Sequence, residues 1–132
     1  MRVLRAGVMA LVVVAVALPA DAEAADSFTA CVMVERGGDC VQRTSVLYGS
    51  TVYLRGKVVP VQEGRAKVLK RAPGEDDWVK IATVDVNEDG VMRYAWETTL
   101  EDAYLDQPNL LRFKIAGVGR SEKVKVHVFA GE

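Results

Sequence analysis

The residues able to do chemistry in this 132-residue chain fall in a few places, and each also has a plainer use. Asp85-Val86-Asn87-Glu88-Asp89-Gly90 matches the front half of a calcium loop, in which Asp85, Asn87 and Asp89 would supply oxygens and Gly90 the sharp bend. The back half departs from the pattern, because the twelfth position is Trp96 and Glu97 stands one step off. Asn and Asp ahead of Gly are also what a β-hairpin requires, so a plain hairpin is the expected reading and no metal or cofactor is assigned. Cys31 and Cys40 lack the CxxC spacing or the extra ligands of a redox or metal pair. In an exported chain they would form a disulfide, stapling Val32–Val34 to the strand from Val41 across the turn Glu35–Asp39. His127 is the single histidine and falls between Lys125 and Phe129 on an alternating strand, a surface position rather than a general base. Glu97, Glu101, Asp102 and Asp106 have the composition of a glycosidase carboxylate pair, but such a cluster reads as a solvated loop edge. With no G-x-S-x-G, H-E-x-x-H or phosphate loop, no enzyme activity is expected.

Aromatic residues are the better candidates for binding. Tyr53, Trp78, Tyr94, Trp96 and Tyr104 would suit stacking on sugar rings or anchoring a protein if several shared an exposed face. Alternation assigns Trp78, Tyr94 and Trp96 to the core, whereas Tyr53 lies on the wet face of its strand and Tyr104 in an acidic loop. Tyr53 and Tyr104 are therefore the expected ligand contacts. Arg55, Lys57, Lys67, Lys70 and Lys80 would make a basic sheet face, for which protection of sheet edges is the usual use.

The elements that must position these residues are strands. Val52, Leu54, Gly56 and Val58 alternate with Tyr53, Arg55 and Lys57, giving one apolar and one wet face before Pro60. Arg65–Arg71, Trp78–Val86, Val91–Trp96, Leu111–Ile115 and Val124–Val128 continue the pattern, with turns at Pro73–Asp77, Asn87–Gly90 and Gly117–Gly119. Thr98–Asn109 reads as a long loop with one helical turn. About seven or eight strands without a long helix predict an all-β, antiparallel sandwich.

Ahead of this domain, Arg2 and Arg5, the apolar run Ala6–Leu18 and the small-x-small sites Ala20-Asp21-Ala22 and Ala22-Glu23-Ala24 have the three parts of a cleaved signal peptide over 1–25. The apolar run is shorter than the roughly 20 residues that cross a bilayer, so no membrane span is expected after cleavage. Residues 26–132 would form a single domain, with 28–43 a disulfide-stapled hairpin or an elaborated first strand. The formal net charge of −1 makes no electrostatic case for nucleic acid or anionic membrane as partner.

Tyr48–Pro60, Gly64, Val68–Arg71, Trp78 with Ile81-Ala82, Asp89-Gly90, Leu111–Phe113 and Ser121–Val128 together resemble, in order, the bacterial Ig-like or fibronectin type III-like domains of secreted and surface proteins. The resemblance covers about residues 45 to 129 and implies an antiparallel Ig-like β-sandwich. The segment Phe28–Arg43 departs from it. By that resemblance the protein would be an exported, non-catalytic module acting by protein interaction or structural display at the cell surface or outside the cell. A polysaccharide-binding module is the alternative, and a small-ligand carrier a further one.

Overall fold

A computed structural model describes residues 25–131. The leader expected over 1–25 thus lies outside the described residues except for Ala25. The described residues form nine strands: β1 Ser27–Met33, β2 Arg43–Leu47, β3 Thr51–Val59, β4 Gly64–Arg71, β5 Val79–Val86, β6 Val91–Glu97, β7 Asn109–Ile115, the two-residue β8 Gly119–Arg120 and β9 Val124–Phe129. The all-β expectation holds, and the strands longer than two residues match the expected number. A 3₁₀ segment, Leu100–Asp106, occupies the irregular stretch between β6 and β7.

The strands form two sheets. One has the order β1-β3-β6 and is antiparallel throughout. The other has the order β2-β9-β7-β4-β5, with β8 beside β7; β2 runs parallel to β9 and the other pairs are antiparallel. The period of two decides which side chains are buried. Val52, Leu54 and Val58 of one sheet and Val68, Leu111, Phe113, Val124, Val126 and Val128 of the other belong to one apolar cluster.

At Gly56 the two sheets are in close contact. It sits on the central strand β3 between Ala30 and Met92, its neighbours across the ladder. A Cβ at this position would lie 2.7 Å from Phe113 Cδ2 and 3.1 Å from Met92 Cγ. The alternation demands a small apolar residue there, and the Phe113 ring fills the space a side chain would take.

Two turns differ from the sequence reading. Pairing across the Cys31–Cys40 loop is limited to one bridge, Val32 to Val41, and the chain then leaves for the other sheet, where β2 lies along β9. Asn87–Gly90 was expected to join two paired strands. Instead β5 pairs with β4 and β6 with β3, so this turn carries the chain from one sheet to the other. Asn, Asp and Gly encode a reversal of direction and say nothing of which strand the next one pairs with.

A largely buried ion pair ties the 3₁₀ segment to both sheets. Asp102 Oδ1 accepts from Lys70 Nζ at 2.5 Å, and Asp102 Oδ2 accepts from the Thr99 amide at 2.7 Å and from Thr99 Oγ1 at 3.1 Å. The Lys70 ammonium also lies over the Trp96 ring, 5.2 Å from its centroid. Asn109 Nδ2 donates to the Asp102 carbonyl at 2.9 Å, fixing the start of β7.

The close contact at Gly56 can be checked directly. Gly56→Ala should destabilise the fold by about 1–3 kcal/mol through overpacking, read by denaturant unfolding, and pairing it with Phe113→Leu should recover part of the loss. A neutral Gly56→Ala would show that the sheets are not in contact there.

Candidate functional site

The residues expected to act together are dispersed. Tyr53 lies on the outer side of β3, in a shallow depression with Met33, Arg36, Arg93 and Tyr94, and the Arg36 guanidinium stands 5.2 Å from its ring centroid. Tyr104 is 63% exposed on the 3₁₀ segment, beside Pro73, Leu100 and Glu101 in a separate depression. The two do not form one platform.

The acidic residues are dispersed as well. Asp102 is buried and bound to Lys70, while Asp106 Oδ1 lies 2.7 Å from His127 Nε2. Asp106 and the preceding Leu105 both have positive φ, 50° and 60°, a strained bend that swings the Asp106 carboxylate over β9. In the half-calcium motif, Asn87 Oδ1 accepts from the amides of Asp89 at 2.8 Å and Val91 at 3.0 Å. The oxygen that the motif would offer a cation thus closes the turn. Asp85 lies 3.5 Å from Arg65 Nε. Cys31 and Cys40 are joined by a disulfide, with Cα atoms 5.2 Å apart.

What the structure does assemble is a cationic surface on the outer side of the larger sheet. Across the ladder, Lys67 stands opposite Lys114, and Lys114 opposite Arg120. Leu69 and Arg112 form the next row, and Arg71, Leu110, Lys125 and Arg43 the row after that. Like charges directly opposite on one face repel, each pair costing a few tenths of a kcal/mol or more. Among strand residues the carboxylates are Asp85 and Glu97 alone; the other described acidic residues lie in turns, loops and the 3₁₀ segment. A balanced total charge thus conceals a segregation by element.

Trp78, just ahead of the edge strand β5, packs against two arginines of this surface. The sequence reading placed it in the core, but it precedes β5, is half-buried and lies outside the apolar cluster. Its ring carries the Arg112 guanidinium 4.0 Å from the centroid and that of Arg71 at 5.7 Å. Arg112 Nε is enclosed without an acceptor among the described residues. Burial pushes the Arg112 guanidinium below its usual value, and the positive charges of Arg120 and Arg71 push the same way. None of these three arginines has a carboxylate within ion-pair distance among the described residues.

The basic residues picked from the sequence mostly belong elsewhere. Arg55 and Lys57 are on β3 of the other sheet, and Lys70 shares the inward parity of Ala66 and Val68. Lys67, and Lys80 opposite Leu69, are on the cationic surface. Arg112, Lys114 and Lys125 carried a usable signal, since each alternates with buried apolar residues. No family model matches the chain, and a search of curated proteins finds no significant match. Among the described residues, no helix is long and apolar enough to cross a membrane.

The part played by Asn87 is open to a direct measurement. Asn87→Ala should lose about 1 kcal/mol of stability as two amides lose their acceptor, while Asn87→Asp should keep most of it. Added calcium should leave the wild-type melting temperature unchanged, and a clear rise with calcium would contradict the assignment of Asn87 to the turn.

Proposed function

We propose that this chain is an exported Ig-like β-sandwich module that acts by binding at the cell surface or outside the cell, and not by catalysis. The observation that carries the reading is the outer face of the larger sheet, where rows of uncompensated cations surround Arg112 and Trp78. A face that tolerates repulsion in the free protein gains when an anionic partner neutralises it.

The Ig-like assignment draws support from strand order. In chain order β1, β3 and β6 share one sheet, while β4, β7 and β9 share the other, as the A, B, E and C, F, G strands of that fold do. The strand β2, lying parallel to β9, would be a first strand divided between the two sheets. Export draws support from the Cys31–Cys40 disulfide, which belongs to oxidising compartments. Of the cleavage sites in the leader, those after Ala22 and Ala24 suit the domain best. Ala25 packs against the core and the Asp26 amide donates to the Val59 carbonyl at 2.8 Å, so the folded chain uses both residues.

Expression of the full-length chain with a C-terminal tag in a secreting host tests the reading. The product should leave the cytoplasm with the mass of a chain beginning at Glu23 or Ala25. Its cysteines should alkylate only after reduction, and reduction should lower stability by about 2–3 kcal/mol. The purified product should then be retained on intact cells in pull-down assays. A product that stays unprocessed in the cytoplasm, or that no cell surface retains, would refute the proposal.

A further inference from the structure

We propose that the partner of the cationic sheet face is a carboxylated polysaccharide, gripped along the row Arg71-Leu110-Lys125-Arg43 and anchored at Arg112 on Trp78. This rests on the binding reading above and specifies the chemistry of its ligand.

The shape of the surface points to a polymer. The row from Arg71 to Arg43 crosses four neighbouring strands, β4, β7, β9 and β2. At about 4.8 Å between strands it spans roughly 14 Å, longer than a single small anion can bridge. Lys67, Lys114 and Arg120 form a second charged row on the same face. Glu75 and Asp76 line one depression with Arg71, Leu110 and Lys125 that does not reach Arg112, so an anionic chain would lie along the Arg112 side of the row, away from these two carboxylates.

The composition of the surface favours a glycan over the other polyanions. Protein interfaces concentrate apolar residues at the centre and place charge at the rim. Here the centre is charged, its apolar residues Leu69 and Leu110 are half-buried and buried, and the exposed Leu47 and Phe129 lie at one end of the face, two rows beyond Arg43 and Lys125. Single-stranded nucleic acid is held by successive bases stacked on aromatic rings, whereas Trp78 is one ring already faced by two guanidinium groups. The Arg112 guanidinium over the Trp78 ring is a planar fork, which matches the two oxygens of a carboxylate. Because no carboxylate of the chain engages Arg71, Arg112 or Arg120 among the described residues, that fork is not already engaged from within.

The test is titration calorimetry of the tagged product of the full-length chain with polygalacturonate, and with neutral dextran, dextran sulfate and single-stranded DNA as comparison polymers. Polygalacturonate should bind, dextran should not, and the affinity for polygalacturonate should exceed that for DNA at equal salt. Arg112→Ala and the double variant Lys114→Ala/Arg120→Ala should each weaken binding at least about tenfold. Arg112→Lys should recover only part of the loss, because it restores the charge without the fork. The double variant also removes like-charge repulsion, so its melting temperature should equal or exceed that of the wild type, which separates lost binding from lost folding. Equal binding of dextran, unaltered affinity in the double variant, or preference for DNA or dextran sulfate at equal salt would each overturn the proposal. Any of these results in a protein that intact cells still retain would leave the binding reading standing with a different ligand.

Discussion

The Lys70 ammonium sits between the Asp102 carboxylate and the face of Trp96, and the arrangement of the molecule turns on that placement. Lys70 is the last inward position of β4 in the larger sheet, Trp96 is in β6 of the smaller one, and Asp102 lies in the segment that joins β6 to β7. One cation thereby links both sheets and the crossing between them. Its side chain is 20% exposed and that of Asp102 6%, so either charge without the other would be poorly solvated. Asp102 spends its second oxygen on Thr99 and its carbonyl on Asn109, which leaves it a structural carboxylate with no free edge for a substrate.

The same alternation that turns Lys70 inward turns Lys67 and Arg71 outward, and it has a consequence for charge. Strands that alternate valine or leucine with lysine or arginine bury the first and gather the second on one surface. Most of the acidic residues collect instead in the turns, and the one strand carboxylate on that face, Asp85, pairs with Arg65 at its edge. The result is a protein of near-zero net charge with one strongly positive side. Repulsion between Lys67, Lys114 and Arg120 opposes folding, and the enclosed Arg112 guanidinium adds to it. Such local conflict with stability is where a binding surface is to be sought.

Strand identity and burial were legible in the sequence because they depend on a period of two, which each segment carries within itself. Val52, Leu54, Gly56 and Val58 could be assigned to one face, and all four are buried. Pairing was less legible, because it depends on residues far away. The turn Asn87–Gly90 was recognisable, but its role in passing between sheets was not. Trp78 was misplaced for a similar reason: an aromatic next to an apolar strand resembles core, and only the register of β4 against β7 brings Arg71 and Arg112 to its ring. The cationic surface is not legible in the sequence, because its members come from strands distant in the chain. Alternation marked each as outward, yet nothing local said that they would be neighbours.

On the outer face of the larger sheet, Arg71, Arg112 and Arg120 carry charge that no carboxylate pairs with among the described residues. Thermal unfolding of the wild-type protein across a series of sodium chloride concentrations tests this, since the distance beyond which exposed charges are screened shrinks from about 30 Å at 0.01 M to about 10 Å at 0.1 M. If the face is uncompensated, the melting temperature should rise as salt screens the repulsion, and replacing Lys114 and Arg120 by alanine should flatten that rise. A melting temperature that falls or stays level with added salt would mean that the cations are already neutralised within the fold, and would contradict the account.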